Sequence, residues 1–557
     1  MDNEMFRLMQ AATPKLNPKL ANGLATVQMP HVEEYIDGVI RAASRGSHEG
    51  LQYMGFARCT PKEEYSVNIR RRTPTRQPRK NPKKTIDMAR TDAVMVKLFF
   101  RFNGVNLEPR YVYLPFVGEA GSITINGSDF NIAPVLADRV ISIGTDSIFV
   151  RLFCDRITFK RTLTSFINNG VRESVQMVYS LIHHDQGTGT DDKPAIKAET
   201  CMAHYLFCKY GFTETFKKYA GFVPEVSTFF DPVQFPESNW VICQSIGLTG
   251  RAAGKIFGDP TKTQNIKLAI PRDKYTTLVR GLVAGFFYVG DRFPSHITVD
   301  YLDSTRQWMT VMAFILFSAN NGVGRLYDKM NSHLNSLDEY VDIITKTNLE
   351  DIGVYVDTIY DFFAYIIERF DEEILAGGDK VSTMYDKELS VLYYVMFDLI
   401  KNIFKFNFQL TAAAKKNSND PDGTRRGLTE RDVNTMLDRA FNARLIHRIV
   451  KNHGEITSTG YSGDCMATKI TSQLVLQKDS TKGKGGRGGG RGSITDPSRQ
   501  LHVSVAEVGS YSGMSKSDPS GRSKLYLCVQ LNEKFVIKRD EELKPMLDEV
   551  QEMITTR

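Results

Sequence analysis

Four cations in a glycine-rich tract are the residues of this sequence best placed to bind a ligand. The tract KGKGGRGGGRG runs from Lys482 to Gly492 and also carries Lys484, Arg487 and Arg491. Its seven glycines disfavour a regular element, whereas spaced cations on a flexible chain can follow a phosphate backbone and release its counterions. The tract therefore predicts a flexible arm that binds nucleic acid, although its charge alone leaves a solvated surface loop open.

A second basic segment lies nearer the amino end. Between Ile69 and Lys84 there are eight basic residues, no acidic residue and three prolines. Because proline interrupts helices and like charges repel, we expect an extended basic loop here. For Arg70–Lys84, a contact with DNA or a partner chain and a simple exposed arm both remain open.

The sequence contains no complete catalytic constellation. The glycine-rich tract lacks the G-x-x-x-x-G-K-[ST] spacing of a P-loop. Cys201 and His204 form a C-x-x-H pair without a second pair at a zinc-ligand spacing, so we interpret them as buried side chains. His183-His184-Asp185 is interpreted as a solvated helix end. The eight carboxylates of Glu350–Glu373 predict an outward-facing, solvated helix face.

Composition indicates a folded protein of two to four domains. The 557 residues are 41% hydrophobic and 24% charged, and the net charge of +7 is mild for this length. Seven scattered cysteines without a C-x-x-C pair favour a reducing compartment. The start resembles no secretion signal, and the longest apolar run, Trp308–Phe317, is too short for a membrane helix and predicts a buried helix or strand.

Hydrophobic periodicity predicts the elements that would position these groups. One helix is predicted by the spacing of Val32, Ile36, Ile40 and Ala43. An antiparallel sheet with Asn-Gly and other glycine turns is predicted from Val94 to about Phe153. Further helices are predicted near 171–183, 200–219, Leu337–Leu375 with a break near Asn348–Gly353 and an end at Gly377-Gly378, and Glu388–Leu410. The remaining predictions are a polar loop at 412–433, a short helix through Leu445 and Ile449, a strand at Lys524–Leu531 and a charged helix at Arg539–Ile554.

The residues after the glycine-rich tract follow a recognisable order. Arg499-Gln500-Leu501-His502 is followed by a connection containing Gly513, by Ser517-Asp518-Pro519-Ser520-Gly521 and by an apolar strand from Leu525. This order resembles the R-x-L-H, G and E-T-P-E-G motifs in the fork region of the β subunit of multisubunit DNA-directed RNA polymerases. Ala467–Gln477 resembles the segment that leads into the family's fork loop, and the glycine-rich tract stands where that loop should be.

Two further segments resemble the same family at compatible positions. Gly118–Gly127, preceded by Leu114-Pro115, resembles the G-T-F-I-I-N-G turn of the β protrusion. Asp386-Lys387-Glu388-Leu389, which leads into a helix through Phe404, resembles the D-K segment and helix that return the chain from lobe to protrusion.

The sequence also departs from the β pattern. The hybrid-binding half of β and the D-F-D-G-D motif of β′ are absent, and Ser517 and Ser520 replace both glutamates of E-T-P-E-G. The chain therefore resembles the amino-terminal half of a split β subunit, as in phiKZ-like giant phages, more than a cellular β subunit.

The resemblance implies an α+β, multidomain fold and a division of labour along the chain. It implies a protrusion from 1–150 and 381–460, a lobe from 151–380 and a fork region from 461–557. The chain would form one wall of the DNA cleft, and its fork loop would align template and nucleotide for nucleotidyl transfer, with no catalytic residue on this chain. DNA contacts are expected from Lys482, Lys484, Arg487, Arg491 and Arg499, and proximity to nucleotide or RNA from Asp518, Arg522 and Lys524.

The resemblance also implies partners. No cofactor is expected on this chain, because magnesium would be held by a partner β′-like chain. The expected partners are a β carboxyl-half chain, β′-like chains, a promoter-specificity subunit as a further candidate, double-stranded DNA and the RNA–DNA hybrid, without a membrane. The expected location is the cytoplasm of an infected bacterium or a nucleus-like phage compartment, and packaging in the virion stays open. An unpaired half-subunit should also expose apolar surface.

Two interpretations from other classes stay open. A phage structural or DNA-packaging protein would use the arm against DNA or capsid and would assemble into rings or shells. A stand-alone single-stranded nucleic-acid binder would need aromatic residues interleaved with the arm, and only Tyr511 lies close to it.

Overall fold

The chain divides into two compact units. Unit 1 comprises residues 1–139, 382–488 and 500–557, and unit 2 comprises residues 140–381 and 489–499. The structure is a computed structural model that describes residues 7, 15–45, 50–72, 91–118, 121–125, 127–132, 134–137, 139–143, 147–152, 156–181, 199–248, 264–317, 323–338, 340–341, 343–377, 383–385, 387–418, 428–441, 455–456, 465–469, 475–478, 504–510, 522–541, 545–546, 549 and 552. No helix in these ranges has the length and apolar character needed to cross a membrane.

Helices and mainly antiparallel sheets occur in both units, which confirms the expected α+β class. The helices are α1 (Pro18–Ala21), α2 (Leu24–Gln28), α3 (Val32–Arg45), α4 (Pro61–Arg72), α5 (Met202–Tyr210), α6 (Phe212–Ala220), α7 (Thr277–Gly290), α8 (Thr305–Leu316), α9 (Val323–Leu337), α10 (Ile343–Glu350), α11 (Ile359–Gly377), α12 (Leu392–Ser418), α13 (Glu430–Ala440) and α14 (Ser504–Val508). The strands are β1 (Leu51–Arg58), β2 (Ala93–Phe102), β3 (Val105–Asn106), β4 (Arg110–Pro115), β5 (Ser122–Ile125), β6 (Ser128–Ile132), β7 (Val135–Ala137), β8 (Ile141–Ile143), β9 (Ser147–Arg151), β10 (Arg156–Asn168), β11 (Val171–Leu181), β12 (Glu199–Cys201), β13 (Glu225–Ser227), β14 (Trp240–Gln244), β15 (Lys267–Pro271), β16 (Glu388–Ser390), β17 (Glu455–Ile456), β18 (Cys465–Lys469), β19 (Val475–Lys478), β20 (Gly509–Ser510), β21 (Arg522–Leu525), β22 (Gln530–Leu531) and β23 (Ile537–Lys538).

The amino-terminal sheet of unit 1 forms as its sequence predicts. Strand β2 pairs antiparallel with β1, β3 and β4. Asn103 and Gly104, with φ of 48° and 81°, make the left-handed turn between β2 and β3 that Asn-Gly favours. Helix α3 packs against β1 and buries its predicted apolar positions, Val32, Ile36, Ile40 and Ala43. The amino-terminal helix is therefore confirmed. The antiparallel sheet predicted from Val94 to about Phe153 is confirmed only for β2–β4, because β5 to β9 belong to three other sheets.

Two more sheets of unit 1 join segments that are far apart in the sequence. One has the strand order β17, β18, β6, β5 and contains the β5–β6 hairpin of the GSITING motif, with Gly127 at φ 77° in its turn. The other has the order β16, β7, β19, β21, β20. The second sheet therefore joins strands that lie between residues 135 and 525 and come from both sides of unit 2 in the sequence.

Unit 2 contains an eight-stranded sheet with the long hairpin β10–β11. The helix predicted near 171–183 is wrong, because these residues form β11. Asn169 and Gly170, with φ of 46° and 79°, form the hairpin turn, and the buried Val175 and Met177 alternate at strand spacing. Helices α5 and α6 confirm the prediction for 200–219.

Close packing of helix α7 requires two glycines. A Cβ atom at Gly285 would lie 2.5 Å from the Cβ of Ala203 in α5, and one at Gly281 would lie 2.4 Å from Cγ2 of Ile367 in α11. Both distances are far below a normal carbon–carbon contact, so α7 can approach its neighbours only without these side chains. Trp308, in the buried helix α8, lies 4.8 Å from the ring of Phe207 in the same core.

Several predicted boundaries differ from the structure. Leu389 lies in strand β16 rather than in a helix, because its backbone pairs with β7, and α12 begins only at Leu392. Helix α12 continues to Ser418, so the polar loop starts later than predicted, and the next helix is α13. Helix α4 runs through Arg72, so the first part of the basic segment is helical, since its first proline is Pro74. Residues 73–90, Leu445 and Ile449 lie outside the described residues, and the predicted helix at 539–554 is described only in part.

A buried carboxylate, that of Asp291, lies directly after the carboxyl end of α7. Asp291 follows an apolar helix, where the helix dipole disfavours a negative charge. The Ser245 hydroxyl donates a hydrogen bond to its carboxylate. Burial raises the pKa of Asp291 to about 6. The folded state therefore binds this proton more tightly than the unfolded state does.

Replacing Gly285 with Ala should destabilise unit 2 by about 1–3 kcal/mol, because the new methyl group collides with Ala203. Both tryptophans of the chain, Trp240 and Trp308, lie in unit 2, so their fluorescence during urea unfolding reports on this unit. Gly324→Ala is the matched control: this exposed helical position has nothing within 4 Å of a new Cβ, so the substitution should stabilise the unit by about 0.5–1 kcal/mol. If the two variants were equally stable, the close contact of α7 with Ala203 at position 285 would be contradicted.

Replacing Asp291 with Asn should change how stability depends on pH. The pKa of Asp291 is raised in the folded state, so its contribution to stability is present below pH 4 and is lost as pH rises to about 6. Asp291→Asn should therefore exceed the wild type in stability at pH 8, by about 1–3 kcal/mol, and approach it only at about pH 4. Tryptophan-monitored unfolding at both pH values checks this, with the exposed Asp300→Asn as control. A stability difference that is the same at both pH values would show that Asp291 does not titrate as described.

Candidate nucleic-acid interface

The structure describes only part of the predicted interface. Lys482, Lys484, Arg487, Arg491, Arg499 and Asp518 lie outside the described residues, as does His183-His184-Asp185. Arg522 and Lys524 lie in strand β21, which belongs to the five-stranded sheet of unit 1. The geometry of the candidate interface is therefore built from this strand and its neighbours.

The register of the sheet assigns positions 522 and 524 to one face. Strand β21 places Arg522 opposite Gln477 and Lys524 opposite Val475, and Lys524 also pairs with Ser510 of β20. Alternate strand positions share a face. The positions of three buried residues belong to the other face, namely Leu136, Leu389 and Leu525. Both basic positions therefore lie on the face opposite the apolar core of this sheet.

Helix α14 ties the start of this region to the chain near residue 384. The buried Ser504 hydroxyl accepts a hydrogen bond from the backbone N–H of Met384 at 2.8 Å. The Tyr385 hydroxyl donates to the Glu507 carboxylate. Burial, followed by this hydrogen bond, raises the pKa of Tyr385. The tyrosine therefore stays neutral and keeps its role as donor at physiological pH.

A buried asparagine ties the chain after β21 to the amino end. The backbone N–H of Asn17 donates to the carbonyl of Leu527 at 2.7 Å, and its side-chain amide donates to the carbonyl of Val529 at 2.8 Å. The same side chain accepts from the N–H of Lys19 and thereby caps helix α1. One residue thus fixes both a helix start and the path of the carboxy-terminal segment.

The Gln28 side chain and the turn between β22 and β23 provide hydrogen-bond partners for the backbone between strand β16 and helix α12. The Gln28 side chain donates to the carbonyl of Leu389 at 3.1 Å and accepts from the N–H groups of Val391 and Leu392 at 2.7 and 3.2 Å. The N–H of Leu389 donates to the carbonyl of Phe535 at 2.9 Å. Segments near residues 28, 390 and 535 are therefore joined by one hydrogen-bond network.

The sequence did not predict that Asn17, Gln28 and Ser504 form hydrogen bonds between distant segments. Asn17 before Pro18 is a recognisable helix start, and this signal could have identified its cap role. The partners of Gln28 lie more than 360 residues away, and those of Ser504 lie 120 residues away, so no local pattern indicates them.

The interpretation of Cys201 and His204 as buried side chains is confirmed. Both are buried in unit 2, and a ring nitrogen of His204 lies 3.1 Å from the carbonyl of Trp308. Burial lowers the pKa of His204 to about 4 and raises the pKa of Cys201 to about 11, so both are neutral at pH 7. Among the residues that the structure describes, no group of three or more His, Cys, Asp or Glu side chains is arranged to hold a metal ion.

Most carboxylates of the acidic stretch are exposed, as predicted. Asp361 is the main exception, because it is half-buried and accepts hydrogen bonds from Lys218 at 2.9 Å and from the Tyr219 hydroxyl at 2.9 Å. Despite the opposing effect of burial, these contacts and Thr358 lower the pKa of Asp361. Asp361 therefore stabilises the packing of α11 against α6. Glu373 is also partly buried and accepts from the Tyr365 hydroxyl at 2.6 Å, whereas the other six carboxylates are exposed.

Comparison with known proteins identifies the family of the chain. A family model described as non-virion RNA polymerase subunit matches residues 3–552, which is nearly the whole sequence. No curated protein matches the sequence significantly. The match covers both units and confirms the predicted relation to a phage RNA polymerase. The chain therefore belongs to the family of non-virion RNA polymerase subunits.

Proposed function

We propose that this chain is the amino-terminal half of a split β subunit in a phage multisubunit DNA-directed RNA polymerase. In this role it forms one wall of the DNA cleft and supplies the fork loop. The observation that carries the proposal is the family match over residues 3–552. The five-stranded sheet supports the β assignment, because it joins β16, β19 and β21, which lie in or beside the segments that resemble the return from lobe to protrusion and the fork.

The proposed domain order is supported by the way the chain divides. A protrusion made of 1–150 and 381–460 requires the chain to leave one unit, form a lobe at 151–380 and return. Unit 2 is an insertion of this kind, since unit 1 contains both 1–139 and 382–488. The proposed fork at 461–557 falls mainly in unit 1, where α14 is tied to residues near 384 and the chain after β21 is tied to Asn17.

The chain's proposed contribution to nucleotidyl transfer is positional. Lys482, Lys484, Arg487, Arg491 and Arg499 contact DNA phosphates near the downstream edge of the bubble. Arg522 and Lys524 lie near the nucleotide or RNA together with Asp518, and the location of both basic positions on the face away from the buried leucines supports this. A β′-like partner chain would hold the magnesium that acts as Lewis acid, and the role of this chain is to align template and nucleotide.

The proposed partners are a β carboxyl-half chain, β′-like chains and a promoter-specificity subunit, together with duplex DNA and the RNA–DNA hybrid. The family is described as non-virion, which favours a polymerase made during infection over one packaged in the particle. We place it in the cytoplasm of the infected bacterium or in a nucleus-like phage compartment. Family membership also favours a polymerase subunit over a structural or DNA-packaging protein.

Replacing Lys482, Lys484, Arg487 and Arg491 together with Ala should lower transcription by the assembled polymerase. Each lost phosphate contact should reduce the magnitude of the slope of log affinity against log salt by about 0.9, because fewer counterions are released. DNA binding and RNA synthesis by the purified complex, measured from 50 to about 200 mM salt, check this prediction.

The matched control removes the same charge from exposed positions elsewhere, by replacing Lys62, Lys217, Lys274 and Arg431 with Ala. This control should keep the wild-type salt slope. Equal activity and equal slopes for both quadruple variants would exclude the arm from DNA binding.

A further inference from the structure

An open pocket of about 450 Å³ in unit 1 lies beside the network of Gln28. Its walls come from α2, α3, the β16–α12 junction and the turn before β23. Aromatic and aliphatic side chains dominate the lining, including Val27, Tyr35, Tyr393 and Phe535. Its size lies within the range of about 300–1,000 Å³ that is usual for ligand pockets.

The backbone at Phe535 is held in an unusual conformation. Its φ of 60° is left-handed, which costs free energy for a residue with a large side chain. The conformation is fixed on both sides, since the N–H of Phe535 donates to the carbonyl of Asn532 at 3.1 Å and its carbonyl accepts from Leu389 at 2.9 Å. Glycine would fit this turn without strain, so the sequence places an aromatic ring at the pocket wall at an energetic cost.

Two exposed leucines lie in segments that are linked by contacts to the pocket wall. Lys19 Nζ lies 5.1 Å from the ring centroid of Phe535. Near this contact, the Asn17 backbone binds Leu527, and Leu16 and Leu527 are 67% and 38% exposed. An apolar pocket together with exposed apolar side chains marks a candidate interaction site.

The charges of the pocket indicate which kind of partner it accepts. Glu388 supplies a carboxylate and Lys534 an ammonium to the lining. A phosphate backbone favours sites with excess positive charge, whereas apolar walls with one charge of each sign suit a polypeptide. We propose that this pocket binds a segment of another subunit of the same polymerase, which inserts aromatic or aliphatic side chains between Tyr35, Tyr393 and Phe535. The proposal rests on the function proposed above, in which the chain works only within a multisubunit enzyme.

Site-specific photo-crosslinking in the active, purified polymerase tests the proposal. A benzophenone amino acid at Val27, in the pocket lining, should cross-link to one other polymerase subunit. The same residue at Val105, which is exposed on the β2–β3 hairpin, is the control and should not give this product. Cross-linking from position 27 only to nucleic acid or to a second copy of this chain would overturn the proposal, as would no product in an active complex.

A matched pair of substitutions gives an independent measure. Val27→Glu places a charge in the pocket and should lower retention of the partner subunit about tenfold or more, whereas Val105→Glu should retain it. Unchanged retention in both variants, with normal transcription, would overturn the pocket proposal and leave the polymerase assignment intact. If the wild-type chain joins no complex that makes RNA, both proposals fail together.

Discussion

The backbone of the β16–α12 junction must find hydrogen-bond partners in a buried setting, and the organisation of unit 1 depends on how it does so. The first N–H groups of a helix have no partner within that helix. Gln28 accepts from two of the N–H groups at this junction, and the carbonyl of Phe535 accepts from a third, that of Leu389. Unpaired, such groups would cost about 1–3 kcal/mol each. Segments from the amino end, the middle and the carboxyl end of the chain therefore stabilise one another at this junction.

This constraint connects the fold to the proposed function. Loops that bind and align ligands need a rigid scaffold to hold their ends. The segment 479–503, which contains the glycine-rich arm, leaves from β19 and returns to α14, and both ends belong to elements tied into unit 1. Unit 2 obtains its own rigidity differently, through close helix contacts at Gly281 and Gly285 and a dense aromatic core. Elements tied into unit 1 thus lie at both ends of the segment that carries the cations of the glycine-rich tract.

Local patterns in the sequence predict local structure well in this chain. The Asn-Gly turn at 103–104, the buried face of α3 and the burial of the run that begins at Trp308 all follow from nearby residues. Residues 171–181 directly follow Asn169-Gly170, which is the same kind of hairpin turn. This turn favours a strand over the helix predicted for these residues. The strand conformation of Leu389 could not be predicted in this way, because its partner strand β7 lies about 250 residues away in the sequence. For the candidate site, the sequence indicated Arg522 and Lys524 but not Asn17, Gln28 or Ser504, whose roles depend on contacts between distant segments.

The most direct test of the central claim is to purify the tagged chain from infected cells and identify its stoichiometric partners while assaying DNA-templated RNA synthesis. The account predicts an active complex that contains a chain with D-F-D-G-D and a separate chain that corresponds to the carboxyl half of β. Recovery of self-assemblies or capsid proteins alone, without RNA synthesis, would contradict it. An active polymerase in which another chain supplies the amino half of β would contradict the proposed position of this chain at the DNA cleft.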